Sequence, residues 1–197
     1  MGLNVICSKE HNMSLMADKD ILKIGEGMIL PFVPYQVKKE RNKPVISYGL
    51  SSAGYDIRLA NEFCVFNKTV IDPKLIKKHF NVYYTKTILD RYIIPPASCI
   101  LGLSVEEFNM PEDAMGICVG KSTYARCGIF PNITPLEPGW RGRLVIEIAN
   151  LSGHPAVVYA NEGIAQIIFF RLSSSCQKPY GSKGGKYQDQ KGFQIVV

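Results

Sequence analysis

The chain has 197 residues, a formal net charge of +6 and an isoelectric point near 9.0. Apolar residues are 46% and charged residues 20%, close to the globular average, which excludes a disordered chain; no apolar run approaches the ~18 residues of a membrane helix. A chain of this size closes one hydrophobic core without needing disulfides or a metal.

The first twenty residues hold no continuous apolar run of signal-peptide length, so a cytoplasmic location is expected, and the order of residues 1–13 is left open. Residues 14–30 read as the one substantial helix. Ser14 is a candidate cap, Asp18 and Asp20 lie near its start, and Gly25 or Gly27 is a candidate terminator. After Pro34 the pattern changes to short apolar runs separated by turn residues. They fall at 54–59, 62–66, 91–94, 97–104, 115–119, 143–149, 155–160 and 164–171, with residues 72–80 a candidate short helix. This spacing predicts an all-β sandwich or barrel in a single domain spanning 1–197. The 178–192 stretch, rich in glycine and polar groups, reads either as a frayed terminus or as a lid. In a lid, Tyr180, Lys186, Tyr187 and Gln190 would supply stacking and hydrogen bonds.

The six cysteines are scattered with no C-x-x-C pair, and His11, His79 and His154 lie at no metal spacing from them. Free thiols are expected and a zinc site is not. The basic excess is not gathered into a block that would track nucleic acid, and neither a nucleic-acid nor a membrane partner is expected.

Four segments could carry chemistry. Gly120-Lys121-Ser122-Thr123-Tyr124-Ala125-Arg126 follows an apolar run and combines backbone N–H groups, hydroxyls and two cations, as a phosphate cradle would. It lacks the Walker order and by itself reads equally well as a polar turn. In Arg143–Ala149 the residues alternate. Leu144, Ile146 and Ile148 share one face, and Arg143, Val145, Glu147 and Ala149 share the other. Glu147 is then either solvated or, inside a cavity, desolvated and suited to move protons. Leu136-Glu137-Pro138-Gly139-Trp140-Arg141-Gly142 is a turn carrying the only Trp, and Gln166 interrupts an apolar strand and wants polar partners.

Together and in order, with Ser52-Ala53-Gly54-Tyr55-Asp56-Ile57 upstream, these segments resemble the dUTPase superfamily, and within it the dCTP deaminases. The GKSTYAR, LEPGWRG, IE and GIAQIIFF segments and the PYG…GGKYQDQ tail carry the resemblance over about residues 45–192. It implies a distorted jelly-roll β-barrel, a homotrimer with active sites between subunits, and hydrolysis of dCTP to dUTP and ammonia. Magnesium would travel with the triphosphate, with no metal held by protein ligands; dTTP is a candidate feedback ligand. Zinc deaminases carry an H-x-E…P-C-x-x-C signature that this sequence lacks.

By the same resemblance Glu147 is the general base, Ser122 holds the water or exocyclic amine, and Arg126 keeps Glu147 anionic and steadies the tetrahedral intermediate. Lys121, Ser122, Thr123, Tyr124, Ala125 and Arg126 would line phosphates and base. The backbone of Val145 and Ile146 would read the pyrimidine edge. Gln166, Tyr180, Lys186 and Gln190 would close over the triphosphate, with Glu137 and Trp140 near the sugar. The Thr134-Pro135-Leu136-Glu137 segment is about two residues shorter than in many members; Pro135 still offers the carbonyl that would orient water. A bifunctional enzyme giving dUMP and pyrophosphate is the alternative, because Glu137 stands where dUTPases place an acidic residue. A plain dUTPase and a catalytically silent nucleotide-binding regulator are the others.

Overall fold

The computed structural model describes residues 14–74 and 80–193, and these form a curled, mostly antiparallel β-structure. Strand β1 (Ser14–Leu15) pairs with the far end of the chain, Ser14 lying opposite Arg171. Ser14 is therefore a strand residue and not the expected helix cap. Helix α1 (Asp18–Met28) starts at Ala17, which offers no side-chain cap, while the Asp18 and Asp20 carboxylates suit the positive end of its first turn. It does not stop at Gly25. A Cβ there would lie 2.4 Å from the Phe32 ring, so glycine lets the returning chain pack on the helix. The helix ends where the backbone turns extended into β2 (Ile29–Leu30).

Strands β3 (Gln36–Glu40) and β4 (Lys43–Ser51) form a hairpin that the apolar pattern does not reveal. Its turn residues, Arg41 and Asn42, both take positive φ (47° and 63°), the geometry that matches strand twist in a two-residue hairpin. The runs at 54–59 and 62–66 are one strand, β5 (Gly54–Phe66). Its register against the partner strand shifts between Leu59 and Phe63, which explains the break in the alternation. The candidate helix at 72–80 falls largely on residues 75–79, outside the described residues; helix α2 (Phe80–Tyr83) follows them and leads into β6 (Tyr84–Ile88).

Strand β7 (Arg91–Ile94) precedes β8 (Ser98–Asn109) and β9 (Ala114–Gly120). Helix α3 (Ser122–Ala125), β10 (Ile129–Asn132), β11 (Arg141–Asn150), β12 (Ala156–Tyr159) and β13 (Gly163–Arg171) complete the fold. The main path runs β1-β13-β5-β8-β11-β10, while β7 and β12 pair separately. Long β5 joins two leaves: residues 54–58 pair with β4 and β13, and its later residues with β6 and β8. Between the leaves lies a core of Ile57, Leu59, Phe63, Phe108, Ile146, Ile148, Ile167 and Phe169, all fully buried. The expected all-β jelly-roll-type architecture is the one observed.

Where β8 meets β11 the register shifts between Arg143 and Val145. Ser104 fills the irregularity. Its hydroxyl accepts the Leu144 N–H (2.8 Å) and donates to the Glu106 carbonyl (2.6 Å), so no buried polar group is stranded there. Nearby, fully buried Glu106 is held by the Arg58 side chain (2.8 Å) and backbone N–H (2.9 Å).

Candidate active site

Strand β11 builds the site. Its alternation sends Leu144, Ile146 and Ile148 into the core and turns Val145 and Glu147 into a cavity of about 490 Å³. Register places Leu101 of β8 on one side of Glu147 and Asn132 of β10 on the other. Asn132 Nδ2 donates to Glu147 Oε2 at 3.2 Å. Burial pushes the Glu147 carboxyl above the usual carboxylate range, and hydrogen bonds from its own backbone and from Asn132 partly oppose this. A carboxyl whose charged form is disfavoured in this way is suited to take and return a proton.

One end of the cavity is apolar, walled by Leu101, Val145, Phe66 and Tyr84, the last two with ring centroids 4.8 Å apart. The other end is formed by residues 133–137 and Trp140. Trp140 is nearly buried, and its indole N–H donates to the Tyr187 carbonyl (2.9 Å). Glu137 contributes a second carboxylate, which Lys183 approaches at 3.7 Å. Among the described residues lining the cavity there are two carboxylates and no Lys, Arg or His.

The roof is the C-terminal segment, which is folded down and not frayed. The Arg143 N–H donates to the Gln190 carbonyl (2.7 Å), and Gln190 Nε2 returns a bond to the Arg143 carbonyl (2.8 Å). Asp189 N–H reaches the Arg141 carbonyl, and Tyr187 N–H reaches the Tyr180 hydroxyl (3.1 Å). The Arg143 guanidinium ties this edge to Glu62 (2.9 Å), the Ser104 carbonyl (2.8 Å) and the Lys191 carbonyl (3.3 Å). Gly142 makes the approach possible, since a Cβ on it would sit 2.8 Å from both Gln190 N and O.

Pro135, Glu137, Trp140, Val145, Glu147, Tyr180 and Gln190 are thus gathered around one cavity. Ile146 shares this strand, but its side chain is in the core and it does not line the cavity. Lys186 is exposed on the roof segment outside the lining. The 121–126 segment and Gln166 do not line the cavity of their own chain. Ser122, Thr123, Ala125 and Arg126 are exposed in and after α3, whereas Tyr124 is a buried pillar whose hydroxyl accepts the Tyr159 N–H (3.1 Å). Lys121 is ion-paired with Asp56, which also accepts from Gln36 Nε2 (3.1 Å). Gln166 Nε2 donates to the Ser51 hydroxyl (2.8 Å).

Sequence reasoning missed Asn132, Phe66, Tyr84, Leu101 and Thr134. The first ends a four-residue strand interrupted by Pro131, too short to show alternation, and the two aromatics meet only through β5–β6 pairing. Five cysteines, Cys64, Cys99, Cys118, Cys127 and Cys176, carry free thiols. Among the described residues no group of His, Cys, Asp and Glu could hold a metal ion, and no helix is long and apolar enough to cross a membrane.

The chain is similar to known proteins. Residues 24–172 match the family described as dCTP deaminase-like. A dCTP deaminase of Francisella philomiragia is 45% identical over 188 residues, covering 93% of this chain and 98% of that protein. One from Pseudomonas putida is 47% identical over 189 residues with the same coverage. The crystal structure of 2'-deoxycytidine 5'-triphosphate deaminase from Agrobacterium tumefaciens shares the fold, with a TM-score of 0.63 at 18% identity over 81% of this chain; the chain spans 47% of that longer one. The family match spans the Glu147 strand, the 133–140 wall and the 121–126 segment, and the chain belongs to the dCTP deaminase-like family.

Proposed function

We propose that this protein hydrolyses dCTP to dUTP and ammonia, with Glu147 as general base. The observation that carries the reading is a single half-buried carboxylate, its pKa raised by burial, at the apolar end of a nucleotide-sized cavity in a deaminase-family fold. A water oxygen adds to C4 of the cytosine ring, its proton passing to Glu147 and on to N3. The adduct carries one hydroxyl and one amino group on C4. The hydroxyl proton then moves by way of Glu147 to the amino nitrogen, the C4–N bond breaks, and ammonia leaves a C4 carbonyl and an N3–H. The Val145 and Ile146 backbone reads the pyrimidine edge, and Pro135 offers its carbonyl to the water.

The cavity's charge argues for a second copy of the chain. A triphosphate brings several negative charges to a lining that already holds Glu137 and Glu147 and, among the described residues, no cation. The exposed Ser122 and Arg126 of a neighbouring protomer would supply the missing donors, Arg126 favouring the anionic form of Glu147 and the charged intermediate. Lys121 is committed to Asp56 within its own chain and so contributes chiefly by fixing that loop. A homotrimer with sites between subunits satisfies this arrangement. Tyr180, Gln190 and Lys186, with a neighbour's Gln166, close over the phosphates, and magnesium arrives with the triphosphate as part of the substrate. dTTP, with the same triphosphate and a carbonyl at C4, would compete for the cavity.

Glu147→Gln tests the reading: turnover should vanish while dCTP binding persists, and near-normal ammonia release would refute it. Glu137, a carboxylate in the same wall, favours a second reading in which the triphosphate is also cleaved. Incubation with dCTP and magnesium distinguishes the two, dUTP without pyrophosphate supporting the first and dUMP with pyrophosphate the second.

A further inference from the structure

Among the described residues, the side chain that hydrogen-bonds Glu147 across its sheet is Asn132. Asn132 stands directly opposite it in the β10–β11 register, at the last position of β10, where the chain turns into the cavity wall at Ile133–Pro135. Opposed residues in such a pair have Cβ atoms ~5 Å apart, so the contact is set by the backbone and not by a chance rotamer. Asparagine is among the residues least suited to a strand, so strand propensity does not account for it. We propose that Asn132 is a positioning residue for the general base: by donating to Oε2 it fixes the Glu147 carboxylate and designates Oε1 as the oxygen that carries the proton. This rests on the reading of Glu147 as base.

The other groups facing Glu147 do not duplicate this role. From β8 come Leu101 and, one alternation along, Cys99, whose thiol is pushed up by burial first and then by the Glu147 charge. From β11 itself come Val145, Ala149 and, further along the same face, Arg143, which is committed to Glu62 and to carbonyls. From the cavity come Tyr84, raised by burial and by nearby negative charge, Glu137 and Tyr187. A neighbour's Arg126 would act on every variant alike. The difference between variants therefore reports Asn132.

The test is the pH dependence of kcat/KM for the full-length wild type, Asn132→Leu and near-isosteric Asn132→Asp. A hydrogen bond to a charged group is worth ~1.5 kcal/mol, so its loss in Asn132→Leu should move the acid limb up by about one pH unit. KM should stay within about twofold, and at pH values below the limb kcat should fall about tenfold. Asn132→Asp places a second carboxylate 3.2 Å from the first and should move the limb further up. An acid limb unchanged in either variant, with wild-type melting temperature and assembly, would overturn the inference. Since Asn132→Asp preserves shape, it keeps the test open should Asn132→Leu fold poorly. If Glu147→Gln is inactive and the limb does not move, Asn132 alone has failed; if Glu147→Gln is active, the base assignment has failed.

Discussion

Gly142 is the point at which the roof meets the floor, and substituting alanine there separates the lid from the barrel. Gly142 has φ of +147°, and an added Cβ would approach Gln190 N and O at 2.8 Å, so the roof backbone must retreat. The retreat breaks the Arg143 N–H to Gln190 bond and the returning bond from Gln190 Nε2. Two such bonds contribute ~2 kcal/mol net to holding the roof, whereas strain at the positive φ stays with β11 in either state. A loss of about 2 kcal/mol moves the closed–open balance of the lid by roughly thirtyfold. KM for dCTP should rise by one to two orders of magnitude, and trypsin should cut faster at Lys183, Lys186 and Lys191. Gly142 also pairs with Phe108 within the sheet, so the melting temperature should fall modestly. Gln190→Ala, which leaves the sheet intact, should weaken dCTP binding without that fall. A Gly142→Ala enzyme with KM within twofold of wild type and unchanged proteolysis would refute the argument that this contact holds the lid.

Asp56→Asn should cost about 3 kcal/mol in urea unfolding, because it leaves the nearly buried Lys121 ammonium unpaired; the double variant Asp56→Asn, Lys121→Met should recover part of that loss. Burial pushes the Cys64 thiol up to about 11 and Cys118 up to about 12. Raised thiol values mean little thiolate at pH 8, so both should react slowly with an aromatic disulfide reagent until denaturant is added, and rapid labelling of buried Cys64 in the native protein would contradict its placement.

The sequence determined the inward face of β11, the Pro-Gly turn before it and the β class itself, because each is written in local alternation and turn chemistry. Glu147 could be singled out on those grounds as a carboxylate on the face opposite three buried aliphatics. It did not determine whether that face met solvent or a cavity. That was decided by Phe66 and Tyr84, brought together by β5–β6 pairing, and by a glycine-rich segment some forty residues downstream folding onto Gly142. Asn132 became visible only through register, since a hydrogen bond across an antiparallel pair depends on which residues stand opposite, and a four-residue strand with a central proline carries too little periodicity to say so. The separation of the 121–126 segment from Glu147 is likewise tertiary. Local pattern specifies each strand's two faces, but only the path of the sheet decides which faces of one chain meet.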